Sequence, residues 1–211
     1  MKADRIRQEI VPRVWLDAER AVWFEEYGAL VVADLHWGYA ESQRARGRLF
    51  PDWGDAQIAA RLDALLAAYA PATMLWLGDA LHARPGRPAA EAYLGKIAGQ
   101  TEVIVLRGNH DRDWAAATTL SHRLGPYLFH HGDRPMEAPS DVVEVIGHLH
   151  PALSLGDGAG LSLKLPALIQ GPRRWILPAF SPWAAGVNWW GNLGEGETGW
   201  LVSPKRILRW R

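Results

Sequence analysis

The stretch VIVLRGNHDRDW, residues 103–114, runs from an apolar, β-branched segment directly into Gly-Asn-His-Asp. Such a segment predicts a buried strand, and the turn after it needs only the glycine and the asparagine. His110 and Asp111 are not required by the turn. Their position at the end of a buried strand therefore indicates a functional site, provided that other parts of the chain supply partner side chains.

Comparable side chains follow four other apolar segments. The segment ALVVADLH predicts a strand over residues 29–33, and the segment TMLWLGDA predicts another that ends at Gly78. Alternate residues of an extended segment point to one side, and functional loops gather at strand ends of α/β sheets. The side chains at the five strand ends are Asp34 and His36, Asp79, Asn109 and His110, His131, and His148 and His150. This series predicts one site built from five segments.

The composition limits the class of protein. The chain has 211 residues, of which 48% are hydrophobic and 22% charged, and we expect one soluble domain over residues 1–211. No apolar run reaches the roughly 18 residues of a membrane span. The stretch MKADRIRQEIVPR lacks the apolar core of a signal peptide, which favours a cytoplasmic location.

The composition also limits the kind of site. Because the chain has no cysteine, any metal must be held by His, Asp, Glu and Asn, which favours zinc, manganese or iron. The 23 basic and 23 acidic residues give a formal net charge of zero. Proteins that bind long stretches of nucleic acid usually have a basic excess, so any phosphate-binding surface must be local.

Periodicity predicts an α/β first half and a mainly β second half. Residues 13–26 read as a hairpin, and residues 55–69 and 87–100 as helices, the first with Asp55 as its N-cap. After Pro151 the segments LSLKLPALI, RWILPAF and GWLVSPKRILRW predict short strands. We therefore expect an α/β fold in which two sheets pack face to face with helices outside.

The motifs DLH, GD, GNHD, HG and GHLH, in this order, resemble those of the calcineurin-like metallophosphoesterases over residues 29–151. The resemblance implies a two-sheet β-sandwich flanked by helices in four αββα layers. It also implies two divalent metal ions, with manganese expected and zinc or iron as alternatives. One ion would be held by Asp34, His36 and His150 and the other by Asn109, His131 and His148, with Asp79 bridging both.

The resemblance further implies a reaction. Two cations about 3.5–4 Å apart bind a phosphate and lower the pKa of a bridging water, and the resulting hydroxide attacks phosphorus in line. His110 would stabilise the developing charge and protonate the leaving oxygen, a role suited to an imidazole pKa near about 6.5. Asp111 is a catalytic candidate if it orients His110; the alternative is that it caps a following helix.

Two histidines require a choice. His130 and His131 are adjacent and face opposite ways on a strand, and His131 precedes the glycine as the family pattern requires. We take His131 as the ligand and expect His130 to pack behind it. His82 lies three residues after Asp79, and we expect it beside the site or on the surface rather than among the ligands.

The stretches WGYAESQRARGRLFPDWG, GHLHPALSL, LKLPALI and RRWILPAF are similar to the bacterial ligase-associated DNA damage response endonucleases. This narrower resemblance implies a manganese-dependent phosphodiesterase that acts on DNA or RNA in a repair setting, with a DNA ligase and a helicase as partners. The neutral net charge favours a short single-stranded or flapped substrate.

The stretch between the first two motifs offers candidates for substrate binding. Arg44, Arg46 and Arg48 could bind phosphates that flank the scissile one, or could form a solvated face. Trp37 and Trp53 could stack a nucleobase, or could pack in the core.

Two other functions remain open in the sequence. One is a phosphomonoesterase or small-nucleotide phosphohydrolase, which a closed pocket would favour over the open groove of a nuclease. The other is a metal-binding scaffold that recruits repair partners without catalysis. The Trp-rich stretch NWWGNLGEGETGWLV could bury a partner surface, and we expect a homodimer.

Overall fold

Two β-sheets pack face to face in the computed structural model, which describes residues 5–112, 114–117, 119–156 and 158–211. The prediction of one domain over residues 1–211 includes residues 1–4, 113, 118 and 157, which lie outside the described residues. The predicted α/β class and the sandwich of two sheets with helices are confirmed.

The first sheet contains six strands in sequence order. They are β1 (Arg7–Val11), β2 (Val14–Asp17), β3 (Ala21–Phe24), β4 (Ala29–Val32), β5 (Thr73–Trp76) and β6 (Glu102–Val105). The predicted hairpin is β2 and β3, and β1 is an additional strand paired with β2. Strands β4, β5 and β6 run parallel, so their carboxyl ends lie at one edge.

The second sheet contains the remaining strands. They are β7 (Ser121–Leu124), β8 (Tyr127–His130), β9 (Val143–Ile146), β10 (Pro151–Gly156), β11 (Ser162–Gln170), β12 (Arg174–Ile176), β13 (Val187–Asn188), β14 (Thr198–Ser203) and β15 (Arg206–Trp210). Their order is β13-β10-β11-β12-β9-β8-β7, and β14 pairs with β11 and β15. Here β8, β9 and β12 run parallel, which again brings carboxyl ends together.

The described helices are α1 (Tyr39–Ala45), α2 (Trp53–Tyr69) and α3 (Arg87–Ile97). The prediction that Asp55 caps α2 is wrong, because that helix begins at Trp53. Asp55 instead accepts hydrogen bonds from the backbone N–H of Gly38, at 3.1 Å from each oxygen, and so ties α2 to the start of α1. Among the described residues, no helix has both the length and the apolar character needed to cross a membrane.

Alternating side chains divide the core into layers. Leu30 and Val32 of β4 face α2 and α3, whereas Ala29 and Val31 face the second sheet. The helices α2 and α3 therefore cover the outer face of the first sheet. The outer face of the second sheet carries a smaller cluster, onto which Trp189 packs.

A segment after β12 fastens the two sheets to each other near their carboxyl ends. The backbone N–H of Phe180 donates to the carbonyl of Ala33 at 2.8 Å. Arg61 of α2 donates to the carbonyl of Phe180 at 2.6 Å and pairs with Glu19 at 2.6 Å. Its guanidinium also lies 4.0 Å from the centre of the Phe180 ring. One largely buried cation thus joins the hairpin, the helix and the segment between the sheets.

We expect Arg61→Met to lower the free energy of unfolding by about 2–3 kcal/mol, because methionine keeps the volume but leaves the Phe180 carbonyl and Glu19 without their charged donor. Urea unfolding measures the change. Lys96→Met is the matched control, since its pair with Asp63 is 55% and 42% exposed and should contribute less than about 1 kcal/mol. Equal losses for both variants would contradict this account of Arg61.

Candidate metal centre

The predicted ligands meet where parallel strands of both sheets end. The structure brings together all seven: Asp34 and His36 after β4, Asp79 after β5, Asn109 after β6, His131 after β8, and His148 and His150 after β9. Because each lies just beyond a carboxyl strand end, the two sheets deliver them to one edge of the sandwich.

One group of ligand atoms comes from Asp34, His36 and His150, whose donor atoms lie within 4.8 Å of one another. Nε2 of His150 is 3.3 Å from Oδ1 of Asp34 and 3.4 Å from Nε2 of His36. Nδ1 of His36 is buried and has no hydrogen-bond partner among the described residues. Two imidazole nitrogens that converge on a carboxylate form a donor set suited to a divalent cation.

A second group comes from Asp79, His131 and His148. Nε2 of His131 lies 3.3 Å from Oδ1 of Asp79, 3.2 Å from Nδ1 of His148 and 3.2 Å from Oδ1 of Asn109. Nδ1 of His131 faces the carbonyl of Leu77 at 2.8 Å and must therefore carry the proton. This hydrogen bond fixes the tautomer in which Nε2 is available as a ligand.

The two groups of donor atoms are adjacent, because Asp34 of the first group contacts His131 and His148 of the second. Oδ1 of Asp34 is 3.8 Å from Nδ1 of His131, and the backbone N–H of His148 donates to both oxygens of Asp34 at 3.0 and 3.1 Å. The backbone N–H of His110 donates to Oδ1 of Asp79 at 2.9 Å. The first group has the three residues that the family resemblance implied for one ion, whereas the second contains Asp79, which the resemblance implied as a bridge, with Asn109 beside it.

Burial and charge set the protonation of the centre. Burial lowers the pKa of His36 to about 4, against the opposing charges of Asp34 and Asp79. Burial alone would raise the pKa of Asp79, but the hydrogen bond and charge of His131 lower it to about 2. For His131, burial works against protonation, but the bond to Asp79 and the charge of Asp34 raise the pKa to about 9. The charges of Asp34 and Asp79 therefore favour positive charge at this point of the centre.

Three motif glycines make room for ligands from other motifs. A Cβ on Gly78 would lie 2.6 Å from the His131 ring, and one on Gly147 would lie 2.7 Å from Oδ2 of Asp34. A Cβ on Gly108 would overlap Asp79. The glycines of the GD, GNHD and GHLH motifs are therefore steric requirements of the centre.

Five of the seven ligand residues have a left-handed backbone. Their φ values are 56° for Asp34, 52° for His36, 46° for Asp79, 64° for His148 and 44° for His150. Residues other than glycine rarely adopt this region, and each instance costs on the order of 1–3 kcal/mol. Such strain concentrated on one set of side chains indicates a functional site that the surrounding fold holds in place.

His110 lies at the open side of the second group. Its Nδ1 faces the carbonyl of His82 at 2.7 Å and so carries the proton, which leaves Nε2 as the acceptor in the neutral ring. That Nε2 is 3.9 Å from Oδ2 of Asp79, and the side chain is 35% exposed. The imidazole is thus positioned by a backbone carbonyl and reachable from solvent.

Asp111 is fully buried, and its carboxylate accepts backbone N–H bonds from Leu81 at 2.9 Å, Gly108 at 3.1 Å and Ala80 at 3.3 Å. The alternative that Asp111 caps a following helix is wrong, because residues 112–120, where described, contain no helix. The carboxylate instead joins the GD motif to the GNHD motif. It thereby acts on the backbone that carries His110, and its bonds to Ala80 and Leu81 are the contacts that the sequence did not indicate.

His130 and His82, the two histidines whose roles the sequence left to be chosen, lie in different surroundings. His130 faces the outer side of the second sheet, where Nε2 is 3.1 Å from Oε1 of Glu144. His82 packs its ring against His110, with centroids 5.2 Å apart and planes 27° apart. The His36, His82 and His110 nitrogens also come within 4.8 Å of one another. His82 therefore belongs to the rim of the centre.

The three predicted substrate arginines differ in their contacts. Arg44 donates to the carbonyl of Phe50 at 3.2 Å, and Arg48 donates to Oε1 of Gln43 at 2.7 Å. Burial, His110 and the charge of Arg46 together lower the pKa of His82 to about 4. Arg46 is therefore the arginine of this stretch whose charge acts on the rim of the centre.

The two candidate tryptophans are also different. Trp37 is 2% exposed and belongs to the core under α2 and α3, so the interpretation that it stacks a nucleobase is wrong. Trp53 is 48% exposed at the start of α2. Only Trp53 of this pair keeps a ring surface that a ligand could contact.

A cavity of about 220 Å³ lies beside the centre and was not expected from the sequence. Its lining comprises Asn109 and His110, together with Leu81, Arg84, Arg87, Arg112 and Trp114. Arg84 and Arg87 lie just before and at the start of α3, Arg112 follows the GNHD motif, and no sequence pattern marked them. They give the wall next to His110 a basic character suited to phosphate oxygens.

Comparison with known proteins identifies the class. The family model for calcineurin-like phosphoesterases matches residues 29–203, and the chain belongs to that family. It is a metal-dependent hydrolase that acts on phosphoester bonds. The metallophosphoesterase resemblance of the motifs is thereby confirmed.

Two solved structures are similar to this chain. The first is the nuclease MPE of Pseudomonas putida, with a TM-score of 0.76 and 28% identity over 98% of this chain and 100% of that one. The second is Yfce, a phosphoesterase from E. coli, with a TM-score of 0.48 and 15% identity over 86% and 97% of the two chains. No curated protein matches the sequence.

We expect Gly78→Ala to displace His131 and reduce the metal bound per chain, because the new methyl group would lie 2.6 Å from the ring. Plasma mass spectrometry of dialysed protein measures the metal. Gly99→Ala is the control, since Gly99 has a similar φ of +83° but nothing within 4 Å of the added carbon. This control should keep its metal, and its free energy of unfolding should fall only by the roughly 1–2 kcal/mol that a left-handed backbone costs a residue other than glycine. Full metal content in Gly78→Ala would contradict the steric role.

Proposed function

We propose that this chain is a dinuclear metal-dependent phosphodiesterase that cleaves nucleic acid. The observation that carries the proposal is the pair of adjacent triads, each with nitrogen and carboxylate donors, beside an exposed imidazole. Asp34, His36 and His150 would hold one divalent ion, and Asn109, His131 and His148 the other, with Asp79 between them. Bound there, divalent ions supply Lewis acidity to a phosphate and lower the pKa of a water until it is hydroxide, the proposed nucleophile.

The donor set fits this role. It contains only imidazole, carboxylate and amide donors, which manganese, zinc and iron all accept, and we propose manganese. The His131 tautomer supports ligation through its Nε2, and the His36 Nε2, 3.4 Å from Nε2 of His150, supports ligation at the other group.

His110 is the proposed acid. Its Nδ1 proton is engaged by the His82 carbonyl, so a second proton carried on Nε2 points to the open side, where a leaving oxygen would emerge. Asp111 is proposed as a positioning residue for His110, because it fixes the backbone of Gly108 and Leu81 on either side of that imidazole.

Two observations support a polynucleotide as the substrate. The structurally similar protein at 28% identity is a nuclease, and three arginines line the cavity beside His110. We extend the proposal to Arg44, Arg46 and Arg48 as phosphate-binding residues. The motif resemblance to ligase-associated endonucleases supports a repair setting, with a DNA ligase and a helicase as partners.

A phosphomonoesterase or small-nucleotide phosphohydrolase is the second candidate. The arginine-lined cavity of about 220 Å³ beside His110 favours it, since a terminal phosphate could occupy such a space.

The proposed function is tested by stripping the metal and comparing hydrolysis of bis(4-nitrophenyl) phosphate with that of 4-nitrophenyl phosphate after addition of Mn²⁺, Zn²⁺, Mg²⁺ or Ca²⁺. We expect diester cleavage with Mn²⁺ and little monoester cleavage, because the exposed rim leaves room for a second ester group. Monoester preference would move the protein to the second candidate. No turnover with any metal, despite bound ions, would favour the scaffold hypothesis.

We expect His110→Ala to lower kcat by about 10²–10⁴-fold while the bound metal stays unchanged, because its imidazole acts on the leaving oxygen. Metal analysis and diester kinetics on the same sample give both values. His122→Ala, on β7 and outside every candidate ligand group, is the control and should alter neither. Loss of metal from His110→Ala would instead indicate that His110 is a ligand. It would then share a metal with His36 and His82, whose nitrogens lie within 4.8 Å of it.

A further inference from the structure

Aromatic rings continue outward from the metal centre. The His82 ring packs against His110 on one side and against Tyr39 on the other, where the centroids are 4.6 Å apart. Tyr39 in turn stacks on Trp183 at 6.2 Å with 20° between the planes. A row of rings therefore leads from the proposed acid to the start of α2.

Trp183 is the centre of this row and comes from a distant part of the sequence. It follows the segment whose Ser181 N–H donates to the carbonyl of Asp34 at 3.0 Å, so the backbone of a metal ligand helps to position it. The Trp53 ring lies 4.3 Å from Trp183, and the Phe50 ring lies 4.8 Å from it. We call Tyr39, Phe50, Trp53 and Trp183 the aromatic surface.

The aromatic surface is unusual in its exposure. Trp53 packs one side on Trp183 and still leaves 48% of its side chain exposed, and the neighbouring Leu49 is fully exposed. Large apolar side chains that remain exposed in one place commonly mark a binding surface.

The charge of the surrounding stretch indicates which kind of ligand the aromatic surface would bind. Residues 44–54 contain three arginines and one aspartate, so the stretch that carries Phe50 and Trp53 is basic within a neutral protein. Basic and aromatic side chains together suit single-stranded nucleic acid, because the backbone is anionic and each unpaired base offers a π-face. A duplex keeps those faces stacked inside, and an apolar protein partner has no need of the arginines.

We propose that the aromatic surface stacks unpaired nucleobases that flank the scissile phosphate, with the adjacent basic stretch, residues 44–48, binding phosphates of the same strand. The inference rests on the proposed nuclease function and adds the residues that select an unpaired strand. Trp53 is the principal stacking residue, because its ring is the most exposed of the four.

The first test measures binding, so that it does not depend on turnover. A fluorescent single-stranded oligonucleotide with a phosphorothioate backbone is titrated with the metal-loaded enzyme, and anisotropy gives Kd. We expect Trp53→Ala to raise Kd roughly 5- to 100-fold and Trp53→Phe to raise it much less, since the stacking face is retained. Trp190→Ala is the matched control, because Trp190 is 46% exposed and packs on Trp210 of the second sheet. It should leave Kd unchanged.

The second test locates the contact. A series of oligonucleotides carries one abasic position, placed in turn at each nucleotide on either side of the cleavage site. For each of them, kcat/KM is measured with wild type and Trp53→Ala. At the stacked position, removal of the base should cost the wild type as much as the mutation does, and the two losses should not add. Hydrolysis of methyl 4-nitrophenyl phosphate, which has no nucleobase, should be the same in both proteins.

The outcomes separate this inference from the proposed function. Unchanged oligonucleotide binding by Trp53→Ala, or additive losses at every abasic position, would overturn the inference while nuclease activity stands. A wild type that binds the single strand through Trp53 but cleaves no oligonucleotide would overturn the nuclease proposal and support the surface. A wild type that cleaves the small diester but does not bind the oligonucleotide would overturn both.

Discussion

The arrangement of the metal centre depends on close packing between motif glycines and ligands that belong to other motifs. Gly78 lies against the His131 ring, Gly108 against Asp79, and Gly147 against Asp34. Each contact joins two segments that are far apart in sequence, and together they connect both sheets. A side chain at any of these glycines would occupy the volume of a ligand. The short motifs are therefore parts of one interlocked structure, and none of them would form the site alone.

The fold also holds the ligands in conformations that they would not adopt by themselves. Five ligand residues have positive φ values, which is costly for side chains larger than glycine. The buried carboxylate of Asp111 fastens two of the ligand loops through backbone N–H groups, and Asp34 accepts the N–H of His148. Parallel strands in both sheets supply the rigid framework. The result is a preorganised set of donors, whose cost is offset by the two cores that flank the first sheet.

The sequence predicted which side chains would come together at the centre, because each one follows an apolar segment and the pattern is local. The helices α2 and α3 and the strands that precede the site residues were predictable for the same reason, whereas α1 and β1 were not predicted. Contacts between distant segments were not predictable: Asp55 binds Gly38 instead of capping α2, Asp111 binds the GD loop, and Trp183 reaches the rim through the segment between the sheets. Trp37 and Trp53 look alike in the sequence, yet one is buried and the other half exposed. Burial of this kind depends on packing, which periodicity alone does not specify.

The most direct test of the dinuclear centre is anomalous diffraction from crystals grown with Mn²⁺. We expect two anomalous peaks per chain, one among the donor atoms of Asp34, His36 and His150 and one among those of Asn109, His131 and His148, with Asp79 in contact with both ions. A single peak, or a peak held by His36, His82 and His110 in place of the two triads, would contradict the account.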